Sequence, residues 1–211
     1  ESIEQGSFFS NISWSDRILT SVFESVTART AGFTSMPISI ESISDSGLLL
    51  LMSLMFIGAS PGGTGGGIKT TTIAALMAAT RSTLRGQDHV VVRHRQISDK
   101  VVLKAVGITV ASLIFILIMA LSITMISSFG EQKNFTFLEI LFTCISAFAT
   151  VGFDIGVTQN IGYLGQMVLV IGMFVGRLGI LLLLSAIWQA FNKSSRQFQN
   201  RIGYPREDFY V

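Results

Sequence analysis

The sequence predicts an all-α membrane protein in which short re-entrant helices alternate with membrane-spanning helices, one of them broken. Its composition, the distribution of its charges and an internal repeat support this prediction. Of its 211 residues, 49% are hydrophobic and only 13% are charged, which is about half the charged fraction of a soluble domain. The single cysteine, Cys144, excludes an internal disulfide and a cysteine-built zinc site. We therefore predict no covalently bound cofactor and no transition-metal site.

Three long segments that lack charge predict the membrane helices. Residues 46–68 and 105–130 carry no charge, and residues 155–192 carry only that of Arg177. Each segment is long enough, because a spanning helix needs roughly 20 apolar residues. The first one is interrupted at 58–67 by glycines and a proline, which disfavour helix. Good helix formers return over 68–84, so we predict one helix that is broken inside the membrane.

The distribution of basic residues predicts the orientation. Residues 69–104 hold seven Lys or Arg, and the tail from Lys193 holds four. Residues 1–45 and 131–154 instead hold six and three carboxylates. The positive-inside rule places the two basic stretches in the cytoplasm, and the alternation fits three crossings. Insertion and contact with anionic lipid explain the basic charge, so no nucleic-acid partner is predicted.

A sequence repeat links the two acidic stretches. The residues Thr30, Gly32 and Phe33 recur 120 positions later as Thr150, Gly152 and Phe153. Matching order and spacing indicate two copies of one unit. Each copy follows a candidate helix, over 17–28 and over 137–148, that at about 12 residues is too short to cross a bilayer. The unit is therefore a short entering helix, a Thr-x-Gly-Phe loop and a membrane helix.

A glycine loop at membrane depth suits a cation. Non-helical backbone is tolerated there only where it lines a cavity. The entering helix points its C-terminal carbonyls, equivalent to about half a negative charge, towards the loop. Loop carbonyls can replace the water around an ion, and glycine at positions 32 and 152 permits the necessary backbone turn. The alternative is that both glycines are ordinary turn residues.

Four motifs resemble the Ktr/Trk/HKT superfamily of potassium transporters, and most closely its bacterial KtrB-type membrane subunits. They are Thr27-Ala-Arg-Thr-Ala-Gly-Phe33, Ala149-Thr-Val-Gly-Phe153, Gly176-Arg-Leu-Gly179 and the loop from Gly58 to Lys69. The resemblance implies a potassium-channel-like architecture of four membrane-pore-membrane repeats around one pore. Residues 1–85 would be the third repeat from its pore helix onward, 86–97 a cytoplasmic loop, 98–192 the fourth repeat and 193–211 a cytoplasmic tail. The earlier repeats are then expected upstream.

The resemblance also implies a selectivity filter. Two of its four walls would be the backbone carbonyls of Thr30, Ala31, Gly32, Thr150, Val151 and Gly152. K⁺ would be the transported ion, with Na⁺ as a second candidate because the other two walls are not visible here. Arg29, Phe33 and Phe153 would support the filter. Because a cation beside the ion path is repelled, we expect Arg29 to face away and to pair with Glu24.

The broken helix is predicted to form a gate below the filter. The gate would comprise Gly62, Gly63, Thr64, Gly65, Gly66, Gly67 and Arg177. An intramembrane charge costs at least about 3 kcal/mol, so Arg177 is expected to contact loop carbonyls or the hydroxyls of Ser60 and Thr64. Lys69 is expected to be a positive-inside anchor. A phosphate-binding loop is not predicted, because Ile68 stands where such a loop needs glycine before the lysine.

The resemblance implies partners and a location as well. It implies a homodimer in the bacterial plasma membrane, a multi-pass topology and no enzymatic activity. A cytosolic ring of KtrA-type regulatory subunits would bind the nucleotide, ATP/ADP or NAD, and residues 86–95 are predicted to form a cytoplasmic hairpin. Channel-like flux and Na⁺-coupled symport both stay open. The alternative function is a secondary transporter that binds another small substrate at the broken helix.

Overall fold

The computed structural model describes residues 13–35, 38, 43–62, 65–87, 89–92, 95–129 and 135–179. The predicted gate residues Gly63 and Thr64, residues 180–192 of the predicted fourth repeat and the predicted tail 193–211 lie outside them. Within the described residues, the helices and strands are α1 (Trp14–Thr27), α2 (Asp45–Phe56), α3 (Thr70–Leu84), β1 (Val91–Val92), β2 (Arg95–Gln96), α4 (Asp99–Phe129), α5 (Phe137–Ala149), α6 (Val157–Asn160) and α7 (Gly162–Leu178).

The two short helices predicted before the repeated loops are present as α1 and α5. They contain 14 and 13 residues, so each is about 20 Å long at 1.5 Å per residue, less than the thickness of a bilayer core. Helix α1 begins at Trp14, earlier than predicted. Helix α5 begins after Thr136 as predicted, and the Thr136 backbone N–H donates to Oε2 of Glu139 over 2.6 Å. This bond satisfies one of the free donors at the start of the helix.

The predicted break in the second helix is confirmed. Helix α2 ends at Phe56 and α3 begins at Thr70. Between them, Ile57 and Ile68 pair as a parallel bridge, and the Gly58 N–H donates to the Ile68 carbonyl over 2.9 Å. The chain therefore leaves the helix at Ile57 and returns at Ile68, at nearly the same point.

Helix α4 is the one described helix that is long and apolar enough to cross a membrane, over Asp99–Ser127. Large apolar side chains are exposed along most of its length, namely Val101, Leu103, Val106, Val110, Leu113, Ile114, Leu117, Ile118, Leu121 and Met125. A soluble protein rarely exposes so continuous an apolar face. The exposure is what contact with lipid requires.

Helix α5 lies at the centre of the described fold. One buried cluster joins it to α2 and to the second repeated loop, through Met52, Phe142 and Phe153. A second cluster joins it to α4 and α7, through Ile123 and Leu169. Because α5 is buried on several sides, its C-terminal end and the loop that follows have a defined position.

The predicted hairpin is confirmed between α3 and α4. Strands β1 and β2 pair antiparallel, with Val91 opposite Gln96 and Val92 opposite Arg95. The Ser82 hydroxyl of α3 donates to the His89 carbonyl over 2.8 Å. This bond ties the hairpin to the end of the broken helix.

Glycine permits the close packing of α7 on α5. Replacing two glycines of α7 is expected to lower stability by different amounts. A Cβ on Gly176 would overlap the backbone carbonyl of Phe148, whereas one on Gly172 would meet the end of the Met119 side chain. The backbone of Phe148 cannot move aside, whereas the flexible side chain of Met119 can adopt another rotamer. We expect Gly176→Ala to lower the free energy of unfolding by about 3 kcal/mol, the upper range for overpacking, and Gly172→Ala by less than about 1 kcal/mol. Thermal unfolding of the full-length protein in detergent measures both, and equal losses would contradict this packing.

Candidate functional site

The two repeated loops share an unusual backbone conformation. Thr30 and Thr150 have φ values of 67° and 53°, and they are the only non-glycine residues with positive φ in the described part of the chain. Gly32 and Gly152 follow at φ values of 74° and 102°. A β-branched residue at positive φ is rare and costs on the order of 1–3 kcal/mol. The same strain at both equivalent positions indicates that the sequence repeat is also a structural repeat.

The loop N–H groups bond back to the helix that precedes each loop. The Thr27 carbonyl accepts from the N–H groups of Ala31 and Gly32 over 3.1 and 3.2 Å. In the second copy, the Val151 N–H donates to the Ser146 carbonyl over 2.9 Å. No hydrogen bond within the described residues uses the carbonyl oxygens of residues 30–32 or 150–152. Both loops therefore keep a set of carbonyl oxygens available for a cation.

The two loops lie side by side. A Cβ on Gly32 would overlap the carbonyl oxygen of Val151, and the nearest atom to one on Gly152 would be the Cα of Gly32 at 3.9 Å. The structure thus brings together the six predicted filter residues. A cavity of about 400 Å³ opens beside the second loop, lined in part by Thr143, Thr150 and Asp154. A cavity is the condition under which unwound backbone is tolerated at membrane depth.

The glycine loop of the broken helix contacts both threonines. The Gly66 N–H donates to Oγ1 of Thr150 over 3.2 Å. A Cβ on Gly65 would lie 2.9 Å from Oγ1 of Thr30, so there is no room for a side chain. Gly65 and Gly66 are buried, and Gly67 has a φ of 73°. The described gate residues 65–67 therefore belong to a segment packed directly on the two loops, whereas Gly62 is exposed.

Lys69 has a different position from the one predicted. We expected a membrane-surface anchor, but its side chain is half-buried and Nζ donates to the Gly65 carbonyl over 2.7 Å. The bond joins Lys69, just before the start of α3, to Gly65, the loop residue that packs against Thr30. Lys69 is thus one of the groups that hold this loop in place, which the sequence did not predict.

Among the described residues, Arg177 shows none of the expected contacts with the broken loop. Its side chain lies in the last turn of α7 and is exposed, and no hydrogen bond joins it to Ser60 in the described part of the chain. Gly176 is seated on the Phe148 carbonyl. Helix geometry turns the next residue about 100° around the axis, so Arg177 points away from this packing contact. The other expected partner, Thr64, lies outside the described residues.

The predicted ion pair between Arg29 and Glu24 is wrong. Arg29 is exposed, whereas Glu24 is only 3% exposed and its Oε1 accepts from the Ser35 N–H and hydroxyl over 2.8 and 2.9 Å. Arg29 lies two residues beyond the end of α1, and Glu24 binds Ser35 instead.

Sequence reasoning missed the role of Thr27 and the actual partner of Glu24. Oγ1 of Thr27 donates to the Phe33 carbonyl over 2.8 Å and accepts from the Phe33 N–H over 3.0 Å. Their spacing of three positions on α1, one turn before the loop, was the available signal.

The predicted support residues differ in exposure: the Phe33 ring is 74% exposed and Phe153 only 2%.

The sequence matches the family model described as TrkH, cation transport protein, over residues 3–195. The Ktr system potassium uptake protein D of Bacillus subtilis is 34% identical over 97% of this chain and 42% of its own length. The Ktr system potassium uptake protein B of the same organism is 37% identical over 78% of this chain and 35% of its own length. The potassium/sodium uptake protein NtpJ of Enterococcus hirae is 32% identical over 94% and 42%.

A solved structure is similar as well. The crystal structure of the potassium transporter TrkH from Vibrio parahaemolyticus aligns with a TM-score of 0.67 and 22% identity, over 84% of this chain and 38% of that one. At this identity the likeness establishes the fold alone. This chain spans less than half the length of each of these proteins. With the family match over most of its length, the chain belongs to the TrkH family of cation transport proteins, whose members are transporters and not enzymes.

Proposed function

We propose that this chain forms half of the pore of a Ktr-type potassium uptake protein. The observation that carries the proposal is the set of carbonyl oxygens in residues 30–32 and 150–152, which no hydrogen bond within the described residues uses. Potassium loses its water favourably where several backbone carbonyls take the place of that water. The two loops would supply two walls of a four-walled filter, and the first two repeats, upstream, would supply the others.

The helix ends favour a cation at the same place. Helices α1 and α5 both end directly before a repeated loop, so each directs the negative end of its dipole there. No carboxylate is needed for this attraction. A filter built in this way selects by the arrangement of its carbonyl dipoles, and the relatives named for potassium or potassium/sodium uptake support K⁺ first and Na⁺ second.

The glycine loop 58–67 would act as the gate. It packs against Thr30 and Thr150, directly beside the last carbonyls of the filter. Its glycines allow a different backbone path at low steric cost, and the hydrogen bonds of Gly66 to Thr150 and of Lys69 to Gly65 hold the present one. In this conformation the loop would obstruct ion flow, and its displacement would permit it. The exposed Arg177 would bind the displaced loop.

The basic segment 69–104 would face the cytoplasm of a bacterium, and the exposed apolar face of α4 would face lipid. Relatives named as parts of a Ktr system support a regulatory partner. We propose a cytosolic ring of KtrA-type subunits, which would carry the nucleotide, and a homodimer of the complete membrane subunit.

Uptake by the complete protein tests the proposal. The chain, joined to its native upstream portion, is expressed in a bacterial strain that lacks its own potassium uptake, and initial rates of K⁺ and Na⁺ entry are measured with and without the regulatory subunit. We expect growth on low potassium and K⁺ entry at least about tenfold faster than Na⁺ entry, equivalent to about 1.4 kcal/mol of discrimination. Absence of flux for both ions, in protein that reaches the membrane, would favour a transporter of another substrate.

A further inference from the structure

Two buried side chains hold the first repeated loop from behind. Oε1 of Glu24 binds Ser35 through two hydrogen bonds of 2.8 and 2.9 Å. Oγ1 of Thr27 binds both backbone groups of Phe33 over 2.8 and 3.0 Å. These four bonds, which we call the Glu24–Thr27 clamp, join the last turns of α1 to the residues that directly follow Gly32. The loop is therefore anchored on both sides of its carbonyls.

The second repeated loop has no equivalent clamp within the part of the chain that the structure describes. At the positions that correspond to Glu24 and Thr27, 120 residues on, the chain has Cys144 and Ala147, which cannot make these bonds. Where the first loop has Ser35, the second has the apolar residue Ile155, which packs against a buried cluster. Phe153 is buried in the same cluster, whereas the Phe33 ring is exposed. Apolar burial thus holds the residues that follow Gly152, whereas side-chain hydrogen bonds hold those that follow Gly32.

The clamp has a cost that indicates a function. Oε2 of Glu24 is buried and has no hydrogen-bond partner among the described residues, an arrangement that destabilises a fold by about 1–3 kcal/mol or more. A glutamine or an apolar residue would avoid a buried charge. Strain at Thr30 also has to be supported by surrounding contacts, and the clamp supplies four side-chain hydrogen bonds to the residues that follow this loop. A carboxylate accepts stronger hydrogen bonds than a neutral group.

We propose that Glu24, together with Thr27, is a positioning residue for ion selectivity in the first repeated loop. The inference rests on the proposed filter, and neither residue contacts the ion. The clamp fixes the backbone at Phe33 and Ser35, so that the carbonyls of residues 30–32 keep their orientation. Without it, the exposed loop would adopt several orientations, and discrimination between K⁺ and Na⁺ would fall.

The test compares Glu24→Ala, Glu24→Gln and Thr27→Val in the complete protein. K⁺ and Na⁺ entry are measured at equal amounts of protein in the membrane. We expect Glu24→Ala and Thr27→Val each to lower the K⁺/Na⁺ rate ratio about threefold, the effect of losing hydrogen bonds worth about 0.7 kcal/mol. Glu24→Gln retains an acceptor oxygen for Ser35 but accepts weaker hydrogen bonds, so it is expected to lower the ratio by less than Glu24→Ala does. Should Glu24→Ala not reach the membrane, Thr27→Val preserves shape and still provides the test.

The matched control is Cys144→Ala, which shortens the buried side chain at the equivalent position of the second repeat. It is expected to leave the ratio unchanged. If the clamp variants slow both ions in proportion, or if Glu24→Gln fails as badly as Glu24→Ala, the positioning role is wrong. Gly152→Ser, measured alongside, distinguishes failure of the clamp from failure of the proposed filter. If it alters the ratio, a filter exists, even where the clamp variants have no effect.

Discussion

Replacing Gly152 by serine is expected to lower the K⁺/Na⁺ selectivity of the complete protein more than tenfold. Gly152 has a φ of 102°, where a residue with a side chain is strained by about 1–3 kcal/mol. Space is not the difficulty, because the nearest atom to an added Cβ is the Cα of Gly32 at 3.9 Å. The protein should therefore fold and relieve the strain by rotating the peptide groups on either side of position 152. This rotation moves the carbonyls that we propose to bind the ion.

Gly156→Ser is the matched control for this prediction. Gly156 lies in the same repeat, has a φ of 86° and has no atom within 4 Å of an added Cβ, so serine introduces similar strain outside the filter. Gly32 is less suitable, since a side chain there would overlap the Val151 carbonyl. Initial rates of K⁺ and Na⁺ entry give the ratio for each variant. Equal ratios for Gly152→Ser and Gly156→Ser would mean that the repeated loops are structural turns.

The helices and the break between α2 and α3 were predictable, because they depend on local properties. Charge-free segments locate membrane helices, and glycines with a proline end a helix wherever they occur. The repeat likewise predicted glycine at positive φ in both loops. It did not predict the same conformation for Thr30 and Thr150, because the local preference of a β-branched residue opposes it. Tertiary contacts, which the local sequence does not specify, hold the two threonines in that conformation.

The polar partners were harder to predict than the helices. The nearest opposite charge in the sequence suggested that Arg29 pairs with Glu24, but Arg29 lies beyond the end of α1 and is exposed. Glu24 instead binds Ser35, eleven positions away. Lys69 was expected at the membrane surface and Arg177 against the glycine loop. The structure instead places Lys69 against the loop and Arg177 at the surface. Such contacts depend on how a loop returns to its helix, which the composition of the loop does not specify.

Replacing Thr150 by valine is expected to increase the basal potassium flux of the complete protein about fivefold. The Gly66 N–H donates to Oγ1 of Thr150, and valine preserves the branched shape at that position but removes the acceptor. Loss of one such bond, with a buried N–H left unpaired, is worth about 1 kcal/mol or slightly more. If the glycine loop obstructs the pore in this conformation, the loss shifts its equilibrium towards the displaced, conducting state. The flux is measured as K⁺ entry without the regulatory subunit.

Thr30→Val separates the contribution of the gate from that of the filter. Thr30 and Thr150 occupy equivalent positions with the same strained backbone, so valine should affect the two filter walls similarly. The described residues show no hydrogen bond from the glycine loop to Oγ1 of Thr30, although Gly65 packs against it. A rise in flux for Thr150→Val alone therefore reports the bond to Gly66. Equal changes in both variants would place the effect in the filter, and a lower flux in Thr150→Val would mean that the glycine loop supports conduction instead of obstructing it.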